Sequence, residues 1–168
     1  MKKFFLFILV YLTLLNNSFA CGLLNVPIGT PVSTAVQTFE FLTNYDAESV
    51  EEDYSIKYLD YAIDYCEDGG FIETEIEVIV FDSKIAAINL VSSDEKNEVY
   101  NFTKNKINDP GIEAQKKDWQ GIIDLSVGDL IIIYGKYLKN NIIYESLEIT
   151  NSDMRNYVYG EHVIEGTL

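Results

Sequence analysis

The chain has 168 residues, with 12 Lys plus Arg against 27 Asp plus Glu and a formal net charge of −15. This charge argues against duplex DNA or an anionic membrane surface as the partner, because both recruit proteins through basic patches. With 48% hydrophobic and 13% aromatic residues, the chain is too apolar to be a disordered acidic tail. These figures indicate one small acidic folded domain.

The first twenty residues have the pattern of an export signal. Lys2 and Lys3 precede an apolar run, and Ser18 and Ala20 form a small-x-small cleavage pattern. The run is shorter than the roughly 20 residues that a membrane-spanning helix needs. We therefore predict a signal peptide over 1–20 and a periplasmic or secreted mature protein. Cleavage would remove two lysines and no carboxylate, which leaves 10 basic against 27 acidic side chains and a net charge of −17.

Cys21 and Cys66 are the two cysteines of the chain. An oxidising compartment favours their pairing, and the bridge would stabilise the fold by about 4 kcal/mol in the chain-entropy model. Cys21 would also follow the cleavage site, as the first residue of a bacterial lipoprotein does. However, Ser18 and Phe19 stand where a lipid-attachment box has an aliphatic and a small residue. We predict the disulfide, with a lipid anchor through Cys21 as the alternative that excludes it.

The segment 21–68 is predicted to be mainly helical. Ser49 and Glu52 form a capping-box pattern, and apolar residues recur at helical spacing from Leu59 to Cys66. A weaker helix is indicated over 31–42, although its Thr and Val content leaves an edge strand open. Four tyrosines at steps of three and four residues are interpreted as packing against the rest of the domain: Tyr54, Tyr58, Tyr61 and Tyr65.

After Gly70 the hydrophobic period changes from helical to two. This alternation predicts five strands, with a polar connection and a short helix between the third and the fourth. The strands are expected over 72–81, 85–91, 97–104, 130–137 and 142–149, and the short helix over 112–120. Turn signals around Gly128 and at Asn140-Asn141 precede the last two strands.

The strand order resembles the oligonucleotide/oligosaccharide-binding (OB) barrel, in which a helical connection falls between the third and fourth of five strands. The stretch from Val127 to Lys136 is similar to the family's fourth strand, where a Gly-Asp turn leads into an aliphatic run and then Gly-Lys. A helical segment ahead of the first strand also resembles small exported barrels of the tRNA-anticodon-binding type. The resemblance covers 71–150 and implies a mainly β (α+β) fold, a five-stranded OB-like barrel behind an N-terminal helical segment.

The domain organisation expected from these patterns is a signal peptide over 1–20, a helical segment over 21–68, the barrel over 69–150 and a tail over 151–168. In this family the usual binding face lies on the second and third strands. The resemblance therefore implies a ligand-binding face at Asn89, Tyr100 and Phe102. The alternative is that Tyr100 and Phe102 fill the interior. Lysines near these strands are interspersed with carboxylates, so nucleic acid is an improbable ligand.

Glu73, Glu75 and Glu77 recur at two-residue spacing and predict one acidic strand face. We interpret it as solvated, with Ca²⁺ or a cationic partner as the alternative, because no EF-hand pattern is present. The sequence offers one histidine, His162, without a nucleophile signature, and two cysteines without close zinc spacing. We therefore predict no catalytic residues, no metal and no cofactor.

These observations favour an exported, non-catalytic binding module for a protein, peptide or small ligand. A first alternative is a periplasmic inhibitor or immunity protein whose acidic surface masks a basic partner. A weaker alternative is a hydrolase that uses two carboxylates.

Overall fold

The computed structural model describes residues 21–45, 55–93, 96–158 and 163–165. The predicted signal peptide, the capping-box residues Ser49 and Glu52, the first tyrosine of the series, Tyr54, and His162 all lie outside the described residues.

The fold is built on one sheet of seven strands in the order β4-β5-β6-β3-β2-β1-β7. All neighbouring strands pair antiparallel except β7, which adds to β1 in parallel. The strands are β1 (Ser55–Tyr61), β2 (Glu75–Phe81), β3 (Lys84–Ser92), β4 (Gly121–Asp124), β5 (Leu130–Lys139), β6 (Ile142–Asn151) and β7 (Val163–Glu165). The mainly-β prediction is confirmed. The five-stranded closed barrel is not, because β4 and β7 are the two edges of an open sheet.

The hairpins of the sheet follow the period-two pattern and the turn residues of the sequence. Asp82 and Ser83 join β2 to β3, and Asn140 and Asn141 join β5 to β6, all four with positive φ. Two consecutive residues of positive φ form the type I′ turn, whose twist suits a two-residue hairpin. The turn before β5 contains Gly128 at φ +61°. Four of the five predicted strands are confirmed, with ends shifted by a few residues.

The predicted helix across 49–68 is wrong where the structure describes it. Residues Ser55–Tyr61 form β1, and short 3-10 turns follow at Ala62–Asp64 and Glu67–Gly69. Tyr58 points into the core and Tyr61 is exposed on the other face, as neighbours three apart must be in a strand. The helical spacing is outweighed by pairing with β2, which runs in register from Ile56 opposite Val80 to Tyr61 opposite Glu75.

The predicted third strand over 97–104 is also wrong, because Glu98–Lys106 forms a helix, which we call α2. Asn97 adopts the left-handed conformation ahead of it. Val99, Phe102 and Thr103 are buried at helical spacing and pack α2 on the sheet. The predicted helix over 112–120 is a single 3-10 turn, Ile112–Gln115, and β4 follows it.

The main core lies between one face of the sheet and the segments that cover it. Those segments are α2, a short helix α1 (Val32–Ala35), and 3-10 turns at Gly22–Asn25 and Glu40–Asn44. The predicted helix over 31–42 is thus confirmed only as α1. A second, smaller cluster on the opposite face joins Ile79 and Ala87 to Val158, beside the 3-10 turn Arg155–Tyr157.

Cys21 and Cys66 are paired in the structure, with their Cα atoms 4.0 Å apart. Both side chains are fully buried. The bridge fixes the start of the described chain to the connection between β1 and β2, so the N-terminal segment is held against the core. The predicted pairing is confirmed.

Candidate functional site

The predicted ligand-binding aromatics lie in the core. Tyr100 and Phe102 belong to α2 and are at most 1% exposed. Phe102 packs on Phe71 with a ring-centroid distance of 5.0 Å, and Tyr100 meets Tyr134 edge to face at 6.1 Å. The prediction that they share a strand face is wrong, and the alternative that they fill the interior describes their position.

Asn89 and two of the predicted acidic residues, Glu75 and Glu77, lie on the sheet face that points away from the main core, which we call the open face. Its residues form two rows that cross the strands in the order β1, β2, β3, β6 and β5. The first row is Leu59, Glu77, Asn89, Glu148 and Ile133. The second row is Tyr61, Glu75, Val91, Ser146 and Gly135. Lys57 Nζ donates to Glu77 Oε1 at 3.2 Å, and Asn89 Nδ2 donates to Glu77 Oε2 at 3.3 Å. Glu73 precedes β2 and is exposed.

A buried polar network joins the core face of the sheet to the start of α2. Glu145 Oε2 accepts hydrogen bonds from the backbone N–H groups of Val99 and Tyr100, at 3.1 and 3.2 Å. Glu145 Oε1 accepts from the Tyr134 hydroxyl at 3.2 Å and pairs with Lys136 Nζ at 3.0 Å. The first N–H groups of a helix have no partner within the helix, so this carboxylate supplies one from the sheet.

Lys136 is as deeply buried as its partner, since both side chains are 2% exposed. Its ammonium also donates to Asn97 Oδ1 at 2.6 Å and to the Lys116 carbonyl at 3.4 Å. An ammonium has three N–H donors, and these three acceptors use all of them. A cavity of about 270 Å³ adjoins this pair. Because its charged groups are already satisfied, we assign the pair to holding α2 on the sheet.

The same network raises the pKa of Tyr134. Burial is the main cause, followed by the negative charge of Glu145 and the hydrogen bond to it. All three favour the neutral phenol, so Tyr134 stays a donor to Glu145 at neutral pH.

A second buried carboxylate, that of Glu98 in α2, ties this helix to the segment just before β2. Glu98 Oε2 accepts from the backbone N–H groups of Ile72 and Glu73 and from Thr74 Oγ1, at 2.9, 3.2 and 2.8 Å. Like Glu145, Glu98 holds backbone N–H groups of another segment in place, so we assign it a structural role.

A concavity of ligand size, which we call the cleft, lies between the N-terminal segment and the end of the β5/β6 hairpin. Its volume is about 620 Å³. Ile88, Ile132 and Ile149 on the sheet form the buried floor, and Leu23 and Val26 form a buried wall. One rim consists of exposed residues in the turn before β5 and at its start, Val127, Asp129 and Leu130. The other rim is the end of α2, where Lys106 is the last helical residue and Ile107 follows it.

The cleft has aliphatic walls and a polar mouth. Every apolar residue that lines it is Leu, Ile, Val or Pro, and its polar lining is Lys106, Asp129 and Asn151. Lys106 forms an ion pair with Asp68. A volume of this size, mostly apolar walls and a few polar groups are the usual features of a small-molecule site. No aromatic ring is available in the lining for stacking, so an aliphatic ligand fits best.

Neither the cleft nor the buried pair of Lys136 and Glu145 was predicted from the sequence. The cleft walls come from three regions far apart in the chain, and no local pattern joins them. The pair left a signal: Lys136 follows Ile132 and Tyr134 at period two, and Glu145 precedes Leu147 and Ile149 in the same way. The alternation therefore places a lysine and a glutamate on the core face of neighbouring strands.

Among the described residues, no group of three His, Cys, Asp or Glu side chains is placed to hold a metal ion. Within the same ranges, no helix has the length and apolar character that crossing a membrane requires. Comparison of the chain with protein-family models, with curated proteins and with solved structures found no match.

Proposed function

We propose that this chain is an exported, non-catalytic binding protein whose ligand is a small amphiphile with an aliphatic body. The observation that carries the proposal is the aliphatic cleft of about 620 Å³ between the N-terminal segment and the β5/β6 hairpin. An alkyl chain would lie on Ile132 and Ile149, and a polar head would meet Lys106 and Asn151 at the mouth.

Burial of apolar surface would supply most of the affinity, at roughly 25 cal/mol for each Å² removed from water. The polar mouth would orient the ligand. The walls are held in place from two sides, because the Cys21–Cys66 bridge anchors the N-terminal segment and a ten-residue pairing holds β5 to β6. A wall fixed before binding loses little ordering entropy when the ligand enters.

Laurate displacement of the fluorescent probe N-phenyl-1-naphthylamine tests this function. Leu130 is 37% exposed at the rim, so Leu130→Asp should fold normally while placing a negative charge in the cleft, where it repels the laurate carboxylate. We expect it to weaken laurate binding about tenfold, which corresponds to roughly 1.4 kcal/mol.

Ile122→Asp is the matched control, because Ile122 is 77% exposed and lies outside the cleft. It should change laurate affinity less than about twofold. Failure of laurate to displace the probe, or equal weakening by the two variants, would contradict the proposed site.

Export is supported by the signal pattern and by the paired cysteines, since disulfides persist in oxidising compartments. Intact mass of the protein from its own source, before and after reduction, tests it. We expect the mass of residues 21–168, with a gain of two hydrogens on reduction. A mass that includes an acyl group on Cys21 would replace the disulfide with a lipid anchor.

The binding role is preferred over a carboxylate hydrolase because the two most buried glutamates have structural partners. Glu98 and Glu145 each accept hydrogen bonds from two backbone N–H groups. Such donors consume the acceptor positions that a general acid or base would use.

A further inference from the structure

The cleft becomes progressively more buried along β5 and β6, from its mouth inward. Side chains on the core face of these strands form rows two residues apart, because successive side chains point to opposite faces of a sheet. The outer row is Leu130 and Asn151, and Leu130 is 37% exposed. The next row is Ile132 and Ile149, which are 6% and 7% exposed. The cleft therefore runs along the strands, with its open end at Leu130.

A third row closes the inner end of the cleft. It consists of Leu90, Leu147 and Tyr134 on β3, β6 and β5, which are at most 1% exposed. These three side chains do not line the cleft, whereas the isoleucines of the preceding row do. α2 packs on β3 and β6, and its Tyr100 meets Tyr134 edge to face. The helix thus covers the sheet at the point where the cleft ends.

The buried polar network holds this inner end in place. The Tyr134 hydroxyl donates to Glu145, and the same carboxylate accepts from the first N–H groups of α2. Trp119 stacks on Tyr134 with an interplanar angle of 14°. Moving Tyr134 aside would disturb Glu145 and its buried ion pair with Lys136. Close-packed interiors resist such a displacement, so a ligand that reaches the third row stops there.

The separation of the mouth from the third row sets the length of the cleft. Leu130 and Tyr134 are four residues apart on β5, which corresponds to about 14 Å along an antiparallel strand. An extended alkyl chain advances roughly 1.25 Å for each C–C bond of about 1.5 Å. The cleft therefore matches an extended alkyl chain of about twelve carbons.

We propose that the row of Leu90, Leu147 and Tyr134 is a length gauge, which limits the alkyl chain that the cleft accepts to about twelve carbons. This inference rests on the proposed function and deepens it, because it names the class of aliphatic ligand. Each methylene that the cleft buries should strengthen binding about fourfold, the equivalent of roughly 0.8 kcal/mol. A longer chain would leave its further methylenes in water and hold its head away from the mouth, so the added length gains nothing.

A series of saturated fatty acids tests the length gauge. Octanoate, decanoate, laurate, myristate and palmitate each displace N-phenyl-1-naphthylamine from the protein, at concentrations below their critical micelle concentrations. We expect affinity to rise about fourfold for each added methylene from octanoate to laurate. From laurate to palmitate the total gain should be less than about twofold, because the added methylenes stay outside the cleft.

Two variants should move the length limit in opposite directions. Leu147→Ala removes part of the third row, so myristate should bind about tenfold more tightly than laurate. Ile132→Phe fills the floor nearer the mouth, so laurate should bind within about twofold of decanoate. Ile132→Phe leaves no cavity, and it therefore tests the gauge even if Leu147→Ala does not fold.

Leu42→Ala is the matched control, because Leu42 is only 1% exposed and lies outside the cleft. It should keep the length limit of the unmodified chain. Affinity that continues to rise about fourfold per methylene through palmitate, or an unchanged limit in both Leu147→Ala and Ile132→Phe, would overturn the gauge and leave the cleft as a ligand site. Absence of binding by every acid in the series would overturn the proposed function and the gauge together.

Discussion

β6 presents a glutamate to each side of the sheet, and the two lie in opposite surroundings. Glu145 faces the core, is 2% exposed, and accepts from a lysine, a tyrosine and two backbone N–H groups. Glu148 lies on the open face beside Asn89, whose Oδ1 has no hydrogen-bond partner among the described residues. One region buries its carboxylate among donors, and the other leaves its carboxylate partly exposed.

The difference separates a charge that holds the fold from a charge that keeps part of its contact with solvent. A buried carboxylate is tolerated only when protein donors replace its water. A carboxylate whose acceptor positions are filled in this way is not available to a ligand. Groups that stay half exposed keep part of their hydration and can exchange it for a partner. The two regions should therefore respond differently to the same substitution.

The largest effect is expected from Lys136→Met, which leaves Glu145 buried without its cation. Removing one partner of a buried pair costs about 3–5 kcal/mol. The free energy of unfolding, measured by urea denaturation, should fall by that amount. Lys139→Met removes the same charge from an exposed position on β5 and should change the free energy by less than about 0.5 kcal/mol. Equal effects would remove the distinction between the two regions.

The matched pair Glu145→Gln and Glu148→Gln compares the two faces directly. Glu145→Gln replaces an acceptor oxygen by a donor amide in a site where four donors point at it, so it should cost about 2 kcal/mol of unfolding free energy. Glu148→Gln should cost about 0.5 kcal/mol or less. A larger loss for Glu148→Gln would show that the open face also holds the fold.

Alkaline pH should weaken the buried network through Tyr134. Its pKa is raised in the folded protein from the ordinary value of 10.0, so the folded state holds the proton longer than the unfolded chain does. The stabilisation is complete below pH 10 and is lost as pH rises from there toward the folded pKa, by up to about 1.4 kcal/mol per pH unit.

Urea denaturation at pH 9 and pH 11 measures this loss. Tyr134→Phe should reduce the difference between the two pH values, whereas Tyr61→Phe, at an exposed tyrosine, should leave it unchanged. If the free energy of unfolding of Tyr134→Phe fell between pH 9 and pH 11 by as much as that of the unmodified chain, the alkaline loss could not be assigned to this phenol.

The last expected effect, a gain in stability, has the opposite sign. Asn89→Leu removes a buried, unpaired amide oxygen and loses one 3.3 Å hydrogen bond to Glu77. The melting temperature should rise, by an amount equivalent to about 1 kcal/mol. A fall of that size would mean that the hydrogen bond from Asn89 to Glu77 stabilises the fold by more than the unpaired oxygen costs.

Much of the sheet could be predicted from local patterns. Period-two alternation located β2, β3, β5 and β6, because each buries one face. Gly128 and the Asn140-Asn141 pair located two turns, because they adopt positive φ at little cost. The Cys21–Cys66 pairing followed from the number of cysteines and the export pattern.

The two wrong elements depend on contacts that the local sequence does not contain. β1 has helical spacing, but its pairing with β2 decides the conformation. α2 alternates at Tyr100 and Phe102 like a strand, but the Glu145 carboxylate binds its first N–H groups from 45 and 46 residues away. Tertiary partners override weak local preference in both cases.

The candidate sites were predictable only in part. Alternation placed Glu75 and Glu77 on one strand face, and the family resemblance placed Asn89 on a binding face. The structure puts Glu77 and Asn89 side by side on neighbouring strands. The cleft was not predicted, because its floor, wall and rims come from β3, β5, β6, α2 and the N-terminal segment, and only the fold brings these together.

NMR titration of the isotope-labelled protein with laurate tests the central claim, the aliphatic cleft as a ligand site, most directly. The account predicts shift changes and ligand contacts at Leu24, Leu130, Ile132 and Ile149, with the open face unchanged. Absence of binding, or contacts concentrated on the open face, would contradict it.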